Sequence, residues 1–314
     1  VQRGFGDCKD KASLLYTMFR EAGIDAHMVL VRTRRNGRIT DLPASLAVFD
    51  HAIAYVPELD LYIDGTAEHS GVTELPEMDQ GVTVLHVWPE GSELRRTPVL
   101  PPERNRRQRT LDVRLAADGS ATIEGREVIT GAQAPGYRST YQAEGTRSDR
   151  FERSLRNLFP GLRLEEVGFE GLDTLEGDVS VRYEAEVPQL AQRDGQRLRA
   201  DPSTMGELTR AFARTPTREY PMDLGGTSSY VEERTVRLPR GAQAAQVPEG
   251  GTAESPFGKL AMTVERSAGQ VQMRTEFELR RDRLRPGEYA AFRRWVEEVD
   301  QILRQRLILE TGSR

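Results

Sequence analysis

Gly4-Phe5-Gly6-Asp7-Cys8-Lys9-Asp10-Lys11 holds the one cysteine of a 314-residue chain, and an amphipathic pattern begins directly after it. Ala12, Leu15, Phe19 and Ala22 recur at steps of three and four, with Leu14 and Met18 beside them, and Gly23 follows as a stop. The spacing predicts a helix. Asp7 suits its N-cap, and Asp10 three residues on completes a capping box. Cys8 then falls in the first turn, near the positive end of the helix dipole, where the nucleophilic thiolate form is favoured.

A lone cysteine is most often a buried structural residue. Here the flanks Asp7, Lys9 and Asp10 are charged, and Gly4 and Gly6 permit the close backbone approach that a turn presenting a nucleophile needs. Lys9 and Lys11 beside Cys8 add cations that suit a thiolate, or simply a solvated surface. A cysteine nucleophile also needs a base, and the base needs a group to hold its tautomer. Val48-Phe49-Asp50-His51-Ala52-Ile53-Ala54-Tyr55-Val56 reads as a buried strand. Leu59-Asp60-Leu61-Tyr62-Ile63 reads as a second strand and runs into Asp64-Gly65-Thr66. A turn through Pro57-Glu58 makes a hairpin in which His51 and Asp64 stand at equal distances from the turn, as cross-strand neighbours. The expected catalytic residues are Cys8, His51 and Asp64.

Gly6-Asp7-Cys8-Lys9-Asp10-Lys11, Phe49-Asp50-His51-Ala52 and Ile63-Asp64-Gly65-Thr66-Ala67 together resemble bacterial transglutaminase-like proteins. The resemblance is to the group in which such a domain lies between domains of unknown function, and Thr33 and Asp41-Leu42-Pro43-Ala44-Ser45 share in it. It is specific over residues 4–90 and looser beyond. It implies a papain-like core with the Cys at a helix N-terminus packed on an antiparallel sheet that carries His and Asp. It also implies a protein or peptide substrate, a further domain upstream in the full-length protein, and an extracytoplasmic, periplasmic setting. Papain-like proteases place an oxyanion-stabilising glutamine at about the offset of Gln2 from Cys8, although the Cys8 backbone N–H is the better donor.

Length predicts two or three domains with ample core. No apolar run approaches the roughly 20 residues of a membrane span. A net charge of −5 argues against nucleic acid as a partner. One cysteine precludes an intrachain disulfide and a Cys-rich zinc site, and His27, His51, His69 and His86 show no ligand spacing, so neither metal nor cofactor is expected. The chain begins at Val1 a few residues before the nucleophile, which reads as a fragment or processed form.

The fold class expected is α+β: a papain-like transglutaminase core lacking its N-terminal part, then a β-rich, sandwich-like domain with helical caps. Residues 1–95 form the catalytic portion, 96–109 a Pro- and Arg-rich linker, and 110–314 the accessory domain. In the accessory part, residues 111–129 read as a hairpin turning at Asp118-Gly119, residues 134–158 as mostly helical, and 260–279 as a hairpin turning at Ser267-Ala268-Gly269. Residues 286–309 read as one amphipathic terminal helix carrying Tyr289, Phe292, Val296, Val299, Leu303 and Leu307. There is no Cys or His past residue 86, so catalysis is not expected there. The activity implied is cysteine-dependent acyl transfer or hydrolysis at an amide bond; the alternative is a binding or scaffold module that keeps the fold without the chemistry.

Overall fold

The computed structural model describes residues 5–37 and 45–311. Gln2, Gly4 and the segment 41–44, named above, lie outside them. The chain divides into two compact units, residues 1–100 with 175–177, and residues 101–174 with 178–314. Both are α+β, mostly sheet with few helices, and neither is a closed barrel. Among the described residues no helix is long and apolar enough to cross a membrane.

In the first unit, α1 (Cys8–Glu21) precedes five strands: β1 (His27–Val31), β2 (His51–Val56), β3 (Leu61–Ile63), β4 (Thr83–Trp88) and β5 (Gly91–Arg96). They form one antiparallel sheet in the order β3-β2-β1-β4-β5. β2 is buried along its whole length, as its apolar run predicts, and α1 packs on β1 and β2. Val29, Val31, Ile53, Tyr55, Tyr62, Leu75, Val82 and Val84 make the core. β5 is exposed throughout and continues the sheet at its edge.

The β2–β3 register differs from the symmetric hairpin. Ala54 pairs with Ile63 and Val56 with Leu61, because a 3-10 turn at Pro57–Leu59 and Asp60 at φ +48° occupy the connection. Continued, that register puts Ile53 opposite Asp64. His51 and Asp64 are therefore diagonal neighbours on one face, still within reach of side chains of this length.

The second unit opens with β6 (Arg106–Leu115) and β7 (Ala121–Ile129), followed by α2 (Ala134–Tyr141), α3 (Glu144–Arg156), β8 (Arg163–Glu170) and β9 (Val179–Val187). Next come β10 (Gln192–Asp194), β11 (Arg197–Ala200), α4 (Leu208–Phe212), β12 (Met222–Asp223), β13 (Ser228–Arg237), β14 (Gln243–Gln246) and β15 (Gly251–Ser255). β16 (Gly258–Ser267), β17 (Gln270–Leu279), β18 (Arg283–Leu284), α5 (Tyr289–Leu303) and β19 (Leu307–Glu310) complete it. Eight strands make one sheet, β15-β16-β17-β13-β6-β7-β9-β8, antiparallel except where β13 runs parallel to β6. A four-stranded sheet, β10-β11-β19-β14, and the pair β12-β18 accompany it.

Two segments differ from the sequence expectation. Arg106, Arg107 and Arg109 stand in β6 rather than in a solvated linker: the buried Glu127 carboxylate of β7 receives Arg107 and Arg109, and Arg106 donates to the Gln108 side-chain carbonyl. The terminal helix ends at Leu303, and Leu307 and Leu309 are buried from strand β19. Leu303 and Leu307 sit four apart, which fits a helix, but Leu307-Ile308-Leu309 alternates in burial with period two. The apolar stripe of α5 itself, Phe292 to Leu303, packs on β-strand residues of the second unit, including Leu260, Met262 and Phe277.

Candidate functional site

Asp7 caps α1 as its sequence predicts. Its Oδ1 accepts from the Lys9 N–H at 2.9 Å and the Asp10 N–H at 3.3 Å, and the Asp7 N–H donates back to Asp10 Oδ2 at 3.0 Å. A Cβ on Gly6 would lie 2.5 Å from Asp10 Cβ, so the box closes only over glycine. Cys8 is thereby the first helical residue, half-buried, with its thiol free. The two flanking lysines turn to carboxylates: Lys9 Nζ is 3.5 Å from Asp7, and Lys11 Nζ 3.9 Å from Glu68.

His51 opens β2 and is held from the residue before it. Asp50 Oδ1 accepts from the Thr33 N–H at 2.8 Å and Oδ2 from the Thr33 hydroxyl at 2.6 Å, tying the start of β2 to the end of β1. This explains the buried Thr33 that the resemblance singled out. Asp64 follows β3 directly. Its Oδ1 accepts from the Thr66 N–H at 2.8 Å and hydroxyl at 2.7 Å, which leaves Oδ2 for His51 Nε2 at 3.2 Å. Gly65 lets this turn lie against α1; a Cβ there would meet Leu15 Cδ1 at 3.0 Å and Lys11 Cβ at 3.4 Å. The Cys8 side chain is within hydrogen-bonding reach of the His51 ring. All three residues expected from the sequence are brought to one place.

The electrostatics favour a charged imidazole. Burial is the largest influence on His51 and works for the neutral ring, but the hydrogen bond and charge of Asp64, with Cys8 and Asp79 adding, raise its pKa from 6.5 to about 9. Burial likewise pushes Asp64 up, and its bonds to His51 and Thr66 overcome this and hold it below the usual carboxylate range. The other histidine buried in this sheet behaves oppositely. Burial chiefly, then the Arg95 and His27 charges, lower His86 to about 4, and it bonds the Tyr62 hydroxyl at 3.0 Å. It is a structural histidine, as its strand position predicts.

Sequence reasoning missed Asp79. It ends the 3-10 turn Glu77–Asp79, is 0% exposed, and its carboxyl stands beside His51 and Asp64. One acceptor or donor atom from each of the three lies within 4.8 Å of the others, a spacing at which a proton or a small cation can be shared. Burial, more than the neighbouring Asp64 and Asp50 charges, raises Asp79 to about 7, against the pull of His51. Nothing local in Leu75-Pro76-Glu77-Met78-Asp79-Gln80-Gly81 sets this acid apart from an exposed turn residue.

The second unit contains a polar cavity of about 470 Å³ lined by Arg199, Asp201, Thr204, Arg234 and Arg306, without the Cys and His pairing found in the first.

Comparison with known proteins agrees with the architecture. A solved structure described as a "putative protease" from Parabacteroides distasonis ATCC 8503 is similar over 98% of this chain, with a TM-score of 0.51 and 13% identity. At that identity the likeness is one of fold. The chain spans 45% of that protein's length. Residues 201–309 match the family described as "Domain of Unknown Function with solved-structure structure (DUF3858)". That match starts within the second unit, whose main sheet also draws β6, β7, β8 and β9 from upstream of it. No curated protein matches the sequence.

Proposed function

We propose that the first unit is a transglutaminase-like, papain-like acyl-transfer centre acting on amide bonds of a protein or peptide. The observation that carries this reading is His51, which meets the Cys8 thiol and, on Nε2, the Asp64 carboxylate at 3.2 Å. Cys8 is the nucleophile, His51 the base and then the acid, and Asp64 the group that orients the ring and supports its charge. The thiol proton passes to His51 and the thiolate attacks the carbonyl carbon. The oxyanion that forms is met by the backbone N–H of Cys8 at the start of α1, the neighbouring Lys9 and Asp10 N–H groups being taken by Asp7. Collapse breaks the C–N bond, the leaving amine takes the proton from His51, and a thioester remains on Cys8. Water releases it as an acid; an amine releases it as a new amide. The second unit, residues 101–174 with 178–314, serves as an accessory domain without catalytic groups.

An activated ester, p-nitrophenyl acetate, tests the assignment. The expected result is a burst of nitrophenolate with an acetyl group on the peptide containing Cys8, absent in Cys8→Ala. Turnover unchanged in Cys8→Ala, or no adduct on Cys8, would overturn it.

A further inference from the structure

The turn that carries Asp79 is pinned at nearly every polar group except the carboxyl itself. Arg34 Nε donates to the Glu77 and Gln80 carbonyls, both at 3.1 Å, and Arg96 donates to the Gly81 carbonyl. The Thr97 hydroxyl donates to the Asp79 carbonyl, and Gln80 bridges the Leu75 carbonyl and the Leu100 N–H at 2.8 and 3.2 Å. The Asp79 N–H donates to the Pro76 carbonyl at 2.9 Å. Against this, neither Asp79 Oδ accepts from an N–H or O–H donor among the described residues, though both are fully buried. What the carboxyl meets is the Asp64 carboxyl and the His51 ring, each offering an atom within 4.8 Å of it.

Two carboxyl groups in contact away from water cannot both be ionised; one holds a proton and donates it to the other. Asp64 accepts from Thr66 and faces an imidazole, so it is the member that keeps its charge. The charged groups that weigh most on Asp79 among the described residues are His51 and the carboxylates of Asp64 and Asp50, while the Arg34 and Arg96 guanidiniums donate to main-chain carbonyls of its turn.

We propose that Asp79 is a positioning residue that, as a neutral carboxylic acid, donates a hydrogen bond to Asp64 and so fixes the carboxylate that orients His51. This rests on the reading that Cys8, His51 and Asp64 act together. The turn is the rigid mount, and Asp79 acts on the reacting atoms by fixing the Asp64 carboxylate that orients His51. The pH sense follows: the donor is present in acid and is lost as pH rises through about 7, where burial places its titration.

Asparagine keeps the shape and a permanent N–H donor, whereas alanine keeps neither. Asp79→Ala is expected to lower Cys8-dependent ester turnover about 30-fold, and Asp79→Asn to recover about tenfold of that loss. The decline of wild-type turnover above neutral pH should be absent in Asp79→Asn, with folding of each variant confirmed by its melting curve. Equal impairment of the two variants, or an unchanged alkaline limb, would overturn the proposal. So would a stoichiometric metal ion found in the purified protein by mass spectrometry, since a cation would then bridge the carboxyls. If no Cys8-dependent turnover exists at all, the acyl-transfer reading fails on its own. Infrared difference spectra still decide the Asp79 question: a protonated-carboxyl stretch at pH 6, lost in Asp79→Asn, supports it, and its absence overturns it.

Discussion

In the second unit the Glu127 carboxylate is buried and accepts four hydrogen bonds; in the first, the Asp79 carboxyl is equally buried and accepts none among the described residues. Arg109 and Glu127 are direct cross-strand partners on β6 and β7, and Arg109 Nη2 meets Oε1 at 2.7 Å. Arg107 Nη2 and the Tyr137 hydroxyl take Oε2 at 2.7 and 3.0 Å. Along the same row Glu232 lies beside Arg109 in the parallel register of β13 and accepts from Tyr230 at 2.6 Å. Burial pushes Glu127 up, but the two guanidiniums hold it below the usual carboxylate range. This cluster is matched charge for charge and ties strands together. The cluster of His51, Asp64 and Asp79 instead carries two acids to one base; Asp64 is held low, and Asp79 and His51 are left at about 7 and about 9. Such residual imbalance is costly in a fold and useful in a site that must move protons.

The comparison is broken most severely by exchanging roles. Asp64→Asn should lower turnover on the order of 10⁴-fold, since the ring loses its orienting charge. Stability at pH 7 should fall by about 2 kcal/mol, because the charged His51 ring loses its carboxylate even though the side-chain carbonyl can still accept from Thr66. Differential calorimetry alongside ester kinetics reads both. In Glu127→Ala the pattern should invert, with a loss of about 3–5 kcal/mol from two stranded guanidiniums and no loss of turnover per folded molecule. A catalytic defect in Glu127→Ala that tracks no unfolding would erase the distinction.

The two clusters should also diverge with pH. His51 binds its proton more tightly folded than unfolded, so its stabilising contribution is complete below 6.5 and is lost as pH rises through about 9. The lowered Glu127 contributes above its unfolded value and loses its contribution as pH falls. Hydrogen exchange, corrected for intrinsic rates, should show β2 weakening by on the order of 1–2 kcal/mol between pH 7 and 9 while β6 and β7 hold. Equal weakening of both would contradict the assignment.

How much of this was legible in the sequence depended on range. Cys8, Asp7 and Asp10 signal through local spacing, and the helix start follows them. His51 and Asp64 announce themselves by type and by strand context, although the bulkier turn at Pro57–Leu59 shifts the pairing from symmetric to diagonal. Asp79 and Arg109 were illegible for one shared reason. Their partners lie 15 or more residues away, and only the sheets bring them together. A run of arginines beside prolines looks solvated until β7 supplies Glu127, and an acid in a turn looks exposed until Thr97 and Arg34 fold that turn inward.

A smaller perturbation sharpens the geometry. Gly65→Ala would press a methyl against Leu15 of α1 at 3.0 Å, so α1 or the Asp64 turn must yield. The expected cost is about 1 kcal/mol of stability with a several-fold fall in turnover. Turnover falling without any change in melting would show that the turn, and not the helix, gives way.

The most direct measurement is an NMR titration of the four histidine rings. The account predicts one ring, His51, that keeps its proton to about pH 9 and loses that distinction in Asp64→Asn, and a second, His86, that stays neutral down to about pH 4. Four rings all titrating near 6.5, with no response to Asp64→Asn, would contradict it.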